Sequence, residues 1–289
     1  MLEGSAERHT FLAQDGERLS YVTWKPAHSP RAGLLLHPGY GEHGAHMEPV
    51  ALHLVQQGYF VAAIDARGHG CSAGQRGHID RFECYLEDVG ALHQRLHREQ
   101  PELPGFFVLG HSLGGLIALH YAASSELPLL GLVVTNPLLG LRVKVPPYKK
   151  VMAQLLSSLW PTFSLWNELL PEHMSRDPQE VMRYRDDPLM TKKASARWLM
   201  ETTRVTAESE RVLPPRLQLP VLFMLSTADQ VVDFHRGERL YQALTTSDKT
   251  LHMFEGGFHE IFADLNRQEA YRLLSLWLEQ ELAAQCNKS

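Results

Sequence analysis

Along this chain, short runs of almost wholly apolar residues alternate with longer stretches in which apolar residues recur every three or four positions. The short runs predict strands over residues 10–12, 19–24, 33–37, 60–64, 106–109, 132–135, 221–225 and 250–254. The first two read as a hairpin turning at Asp15-Gly16. The later runs are apolar at consecutive rather than alternate positions, as a parallel strand covered on both faces should be. Between them, Phe82, Tyr85, Val89, Leu92 and Leu96 share one helical face. Ala270, Leu273, Leu274, Trp277, Leu278 and Leu282 share another. This alternation predicts an α/β fold: a mostly parallel eight-stranded sheet with helices on both faces.

The alternation stops at Pro137 and resumes at Pro214. The stretch between has no strand signal and holds helical segments punctuated by Pro146, Pro147, Pro161, Pro171, Pro178 and Pro188. One core interrupted by an inserted helical cap explains this better than two consecutive domains. The expected organisation is core over 1–137, cap over 138–213 and core again over 214–289. Within the cap, Val151, Met152, Leu155, Leu156, Leu159, Trp160, Phe163, Leu165 and Trp166 follow Lys149-Lys150. The run is apolar on more than one face. A lid that lines an acyl channel or transiently touches a membrane surface fits this better than a helix packed only on the core.

Composition excludes some classes of function. With 289 residues, 44% hydrophobic and 21% charged, the chain is long and apolar enough for a sizeable core without staples. Its 28 Lys+Arg against 33 Asp+Glu give a net charge of −5, which argues against a nucleic-acid partner. Cys71, Cys84 and Cys286 are odd in number and lack zinc or disulfide spacing, as expected for reduced thiols. The opening MLEGSAERHT has no apolar h-region, and no apolar run is long enough to span a bilayer. A soluble, cytoplasmic protein is expected.

The strongest chemical signal is Gly110-His111-Ser112-Leu113-Gly114, placed between a predicted strand and a helical stretch. G-x-S-x-G in that context is a nucleophile elbow. A serine hydroxyl needs a base, and the base needs an orienting acid. Asp229 follows the run at 221–225, and His259 follows the run at 250–254. Both stand at carboxyl ends of predicted parallel strands, the edge where Ser112 also emerges. Asp233 rivals Asp229 but lies further from its strand. His235 precedes the last strand and His252 lies inside it, which makes both poorer candidates for the base. An oxyanion hole would use the backbone amide of Leu113 and that of Tyr40, in the glycine-rich loop His37-Pro38-Gly39-Tyr40-Gly41-Glu42-His43. His37, His43 and His46 as metal ligands are a weaker alternative, because no carboxylate–cysteine cluster accompanies them. No metal and no organic cofactor are expected.

With these motifs assembled, the chain resembles the α/β-hydrolase superfamily, in its monoacylglycerol lipase and lysophospholipase-like (serine aminopeptidase S33-type) branch. The matching pieces are the His37–His43 loop, Asp65-Ala66-Arg67-Gly68-His69-Gly70-Cys71-Ser72, Gly110–Gly115, Asp229 and Gly256–Glu260. The resemblance implies Ser112 as nucleophile, Asp229 and His259 as its partners, Tyr40 and Leu113 as oxyanion donors, and residues 137–214 as a cap over an acyl pocket. It also implies that Asp65–Ser72 is a structural turn and that the substrate is a fatty acyl ester. Departures are Pro38 after His37, and a bulky Tyr40 where a small residue is usual. A broader carboxylesterase remains open, as does a serine aminopeptidase, for which Glu168, Glu172, Asp177 and Glu180 are candidate amine-binding residues. So does a catalytically silent ligand-binding homologue. Dehalogenase or epoxide hydrolase chemistry is disfavoured by serine at the elbow.

Overall fold

A computed structural model describes residues 4–142, 147–167 and 169–286, without the side chains of 147–150 and 286. Lys149, Lys150, Glu168 and Cys286, singled out above, therefore lie in whole or in their side chains outside the described residues. The main sheet has eight strands: β1 (Glu7–Leu12), β2 (Arg18–Trp24), β3 (Gly33–His37), β4 (Phe60–Asp65), β5 (Phe106–His111), β6 (Leu129–Thr135), β9 (Val221–Ser226) and β10 (Lys249–Phe254). Their spatial order is β1-β2-β4-β3-β5-β6-β9-β10. Only β1–β2 and β2–β4 pair antiparallel; the other neighbours are parallel.

The consecutive apolar runs arise because each central strand feeds two cores. On β5, Phe106 and Val108 enter one cluster, while Phe107 and Leu109 enter the other. On β9, Val221, Phe223 and Leu225 face the first cluster, and Leu222 and Met224 the second. The first cluster is closed by α2 (Glu83–Glu99) and α3 (Leu113–Ala122), the second by α1 (Glu48–Gln56) and α8 (Arg267–Cys286). Each large apolar side chain so buried is worth about 1.5–3 kcal/mol. β1 sits at the edge, and its alternating burial shows that it is covered on one face only.

Between β6 and β9 run α4 (Pro147–Leu159), β7 (Ser164–Trp166), α5 (Pro178–Asp186), β8 (Lys193–Ser195) and α6 (Ala196–Val212). None of these joins the main sheet, but β7 and β8 pair antiparallel with each other. The expectation of no strands in this stretch is corrected: three-residue strands are too short to leave a periodic pattern. α6 is not a free lid element, since Trp198 and Val205 are buried in the first core cluster. The outer part differs. Leu159, Trp160 and Trp166 are 83%, 59% and 68% exposed. No helix among the described residues is long and apolar enough to cross a membrane.

Candidate active site

Ser112 stands between β5 and α3 with φ 50° and ψ −114°, one of two non-glycine residues with positive φ among those described. A serine in that region is strained, and the surroundings must hold it there. Its N–H donates to the Thr135 carbonyl (3.0 Å), and its carbonyl accepts from Leu138 N–H (2.8 Å). The turn is possible only because of small neighbours. A Cβ on Gly114 would lie 2.1 Å from the His37 carbonyl oxygen and 2.5 Å from that of Pro38. Both obstacles are backbone, so Gly114→Ala should push the loop after β3 away from the start of α3. The expected loss in kcat is about 10²-fold or more, the scale of a 1 Å misplacement; steady-state kinetics on a soluble ester would measure it.

Asp229 follows β9 and is fully buried. Its Oδ1 accepts from the Val231 and Val232 amides (2.7 and 2.9 Å), and its Oδ2 lies 2.6 Å from Nδ1 of His259. Burial pulls the His259 pKa down, but the charge of Asp229 and its hydrogen bond outweigh this and hold it above the ordinary histidine value. The His259 ring packs edge-on against that of His111, the residue before Ser112, with centroids 4.7 Å apart. Asn136, at φ 41°, braces the same region. Its Nδ2 donates to the His259 carbonyl (2.7 Å), while its Oδ1 accepts from Ser226 N–H (2.8 Å). The segment 136–138 thus holds both the serine turn and the histidine loop, a function no sequence motif announced.

The rivals lie elsewhere. Asp233 caps α7 (Phe234–Ala243) by accepting from His235 N–H. The His235 ring faces Glu238, and His252 faces Glu269 at the sheet edge. The histidines of the loop after β3 also diverge. His37 Nδ1 meets the Pro38 carbonyl, His43 Nε2 pairs with Asp187 at 2.8 Å, and His46 lies against Arg183. The carboxylate of Asp65 receives Gly44 N–H (2.6 Å), Cys71 N–H (2.8 Å) and Arg8 (2.7 Å), which is a structural use.

Leu113 opens α3, where the first amides of a helix have no intrahelical acceptor. The Tyr40 side chain turns toward the cap: its hydroxyl donates to the Lys193 carbonyl and its ring packs on Trp198, centroids 4.0 Å apart. The Gly41 carbonyl accepts from Thr191 N–H (2.7 Å), so the loop that carries Tyr40 is clipped to the cap by backbone as well. Three residues that the sequence reading quoted only as parts of motifs, without a role of their own, come together here. Glu42, His111 and Glu260 offer ligand-type atoms within 4.8 Å of one another, beside a cavity of about 20 Å³ that His46 and Arg183 also line. Among the described residues no other trio of histidine, cysteine or acidic groups clusters this tightly. The only signal was that each adjoins or sits within a motif.

A family model described as serine aminopeptidase, S33 matches residues 28–266. Human monoglyceride lipase is 30% identical over 93% of this chain and 89% of its own length. An uncharacterized abhydrolase domain-containing protein of Dictyostelium discoideum is 31% identical over 96% of this chain, which spans only 29% of that larger relative. Among solved structures, the Paleococcus ferrophilus monoacylglycerol lipase superposes with a TM-score of 0.82 at 30% identity, covering 91% of this chain and 99% of that one. With the eight-stranded sheet and the strained serine turn beside a carboxylate-bound histidine, these matches make the chain a member of the serine aminopeptidase S33 family of α/β-hydrolases.

Proposed function

We propose that this protein is a serine hydrolase that cleaves carboxylic esters of fatty acyl groups, with monoacylglycerol as leading substrate and lysophospholipid next. The single observation that carries the reading is the 2.6 Å contact of Asp229 with His259 next to the strained Ser112 turn. His259 takes the Ser112 proton as Oγ attacks the ester carbonyl. The negative oxygen of the tetrahedral intermediate rests on the Tyr40 and Leu113 amides. His259 then protonates the departing alcohol, and water releases the acyl group by the reverse sequence. None of these steps calls on a cofactor.

The substrate class is drawn from the two lipase relatives and from the apolar outer cap, residues 138–213 in our assignment. An aminopeptidase would use cap carboxylates to hold a substrate amine. Of the four candidates, Glu172, Asp177 and Glu180 are instead paired with Arg185, Arg267 and Arg183. We assign the protein to the cytoplasm, since Cys71 and Cys84 are free thiols.

A fluorophosphonate probe should label the protein, and Ser112→Ala should abolish labelling; an unlabelled wild-type chain would instead indicate a silent binding homologue. Hydrolysis rates across esters of graded acyl length, set beside amino-acyl amides, separate lipase from general esterase and peptidase. The exposed cap residues are assigned to transient contact with aggregated lipid. Trp160→Ser with Trp166→Ser should therefore slow hydrolysis of vesicle-borne monoacylglycerol by about tenfold, the loss of roughly 1.4 kcal/mol of interfacial burial. A short soluble ester should be hydrolysed at the wild-type rate. Equal losses on both substrates would remove the membrane role.

A further inference from the structure

Two carboxyl groups beside the site, Glu42 buried and Glu260 largely so with 13% of its side chain exposed, take no part in the mechanism above. Glu42 belongs to the loop after β3; its Oε2 accepts the Gly39 N–H at 2.7 Å, in the residue just before Tyr40. Glu260 immediately follows His259. Its Oε1 lies 2.6 Å from His111 Nε2, a contact distance without the alignment of a hydrogen bond. Oxygens of both carboxyls and a nitrogen of His111 all fall within 4.8 Å of one another. The Nδ1 of His111 is engaged with the Thr135 hydroxyl at 2.9 Å. Two carboxylates this close and this buried cannot both stay ionised, and a proton held between them is the stable arrangement.

We propose that Glu42 and Glu260 share one proton and so clamp the loop bearing the oxyanion donor to the loop bearing the base. The inference rests on the hydrolase reading given above. It makes both residues positioning residues: they touch no reacting atom, but their hydrogen bond sets where the Tyr40 amide and the His259 ring stand relative to each other. Burial first, and then the charge of Glu260, push the Glu42 pKa up to about 8. Burial raises Glu260 as well. His111 is held neutral, pushed down to about 4 by burial and by His259. The other groups that face the pair are His259 and Asp229 from the loops after β10 and β9, Arg183 and Tyr184 from α5, and His46 from the loop after β3. Arg183 is the positive charge that favours one ionised carboxyl. It does not remove the repulsion between two.

The sign of the pH effect follows. At neutral pH the pair holds its proton and the clamp is closed. As pH rises through about 8 the proton leaves, two like charges face each other, and the two loops part. A plain Ser–His–Asp enzyme reaches an alkaline plateau once its histidine is neutral. This one should instead show kcat/KM falling, with a limiting slope of about tenfold per pH unit, as for loss of one essential proton.

The test measures hydrolysis of a soluble p-nitrophenyl ester from pH 5 to 10, with Ser112→Ala as blank and thermal melts at each pH. Glu260→Gln donates an N–H to Glu42 at every pH, so its alkaline fall should vanish and its plateau extend. Glu42→Gln keeps an acceptor for Gly39 and gains a donor, and should do the same. Glu260→Ala breaks the link and should lower kcat at all pH values with KM retained. An unchanged alkaline fall in Glu260→Gln, a flat wild-type profile, or a wild-type fall that coincides with melting would each overturn the clamp. A wild-type chain that neither hydrolyses the ester nor takes a fluorophosphonate label would instead overturn the hydrolase reading itself.

Discussion

Ser112→Ala is expected to lower kcat for ester hydrolysis by about 10⁶-fold, the scale on which losing the nucleophile acts in other serine hydrolases. The effect is large because nothing nearby can replace the hydroxyl. The residues that follow Ser112 on the helix are Leu113, Gly114 and Gly115, which carry no nucleophilic group. Residual activity should come only from oxyanion and binding contributions, about 10³–10⁴ over water. The variant should fold, because alanine retains the backbone bonds at 112 to Thr135 and Leu138. Single-turnover kinetics beside circular dichroism would measure both. Wild-type rates in this variant would sink the assignment.

Asp229→Asn is expected to cost about 10⁴-fold in kcat, with KM nearly retained. The geometry gives the reason. One oxygen of Asp229 is committed to the amides of Val231 and Val232, and the other to His259. An asparagine that keeps its oxygen on the two amides turns its NH₂ toward Nδ1 of His259. The imidazole must then carry its proton on Nε2, the nitrogen needed to accept from serine. The charge is lost too. Asp229 holds the His259 pKa above the ordinary histidine value, so wild-type kcat/KM should fall as pH drops through a midpoint above 6.5. Whatever activity the variant keeps should have its acid limb at lower pH, because the imidazolium no longer has a partner. A pH profile of each form checks the direction; coincident acid limbs would show that Asp229 does not set the base.

The core was legible in the sequence because its strands are covered on both faces. Residues 33–37, 60–65, 106–111 and 221–226 are buried throughout, and burial on both sides forces consecutive apolar residues. Ser112, Asp229 and His259 could be chosen from sequence for a related reason. Each follows a strand, and carboxyl ends of parallel strands share one edge of the sheet. The cap was harder to read. β7 and β8 are three residues each and pair only with one another, and the burial of Trp198 under Tyr40 depends on a fold-back across 158 positions.

What the sequence determined by itself was the sheet, the interruption after residue 137 and the elbow, all features written in local periodicity and short spacing. Only the tertiary structure decided which carboxyls meet. Glu42 and Glu260 are more than 200 positions apart. Asn136 reaches His259 across 123 positions, and Asp187 reaches His43 across 144. Each looks like an ordinary polar residue until burial removes its water. Once water is gone, an unpaired charge or amide is costly, and the partner supplied by a distant loop sets the proton inventory around the serine.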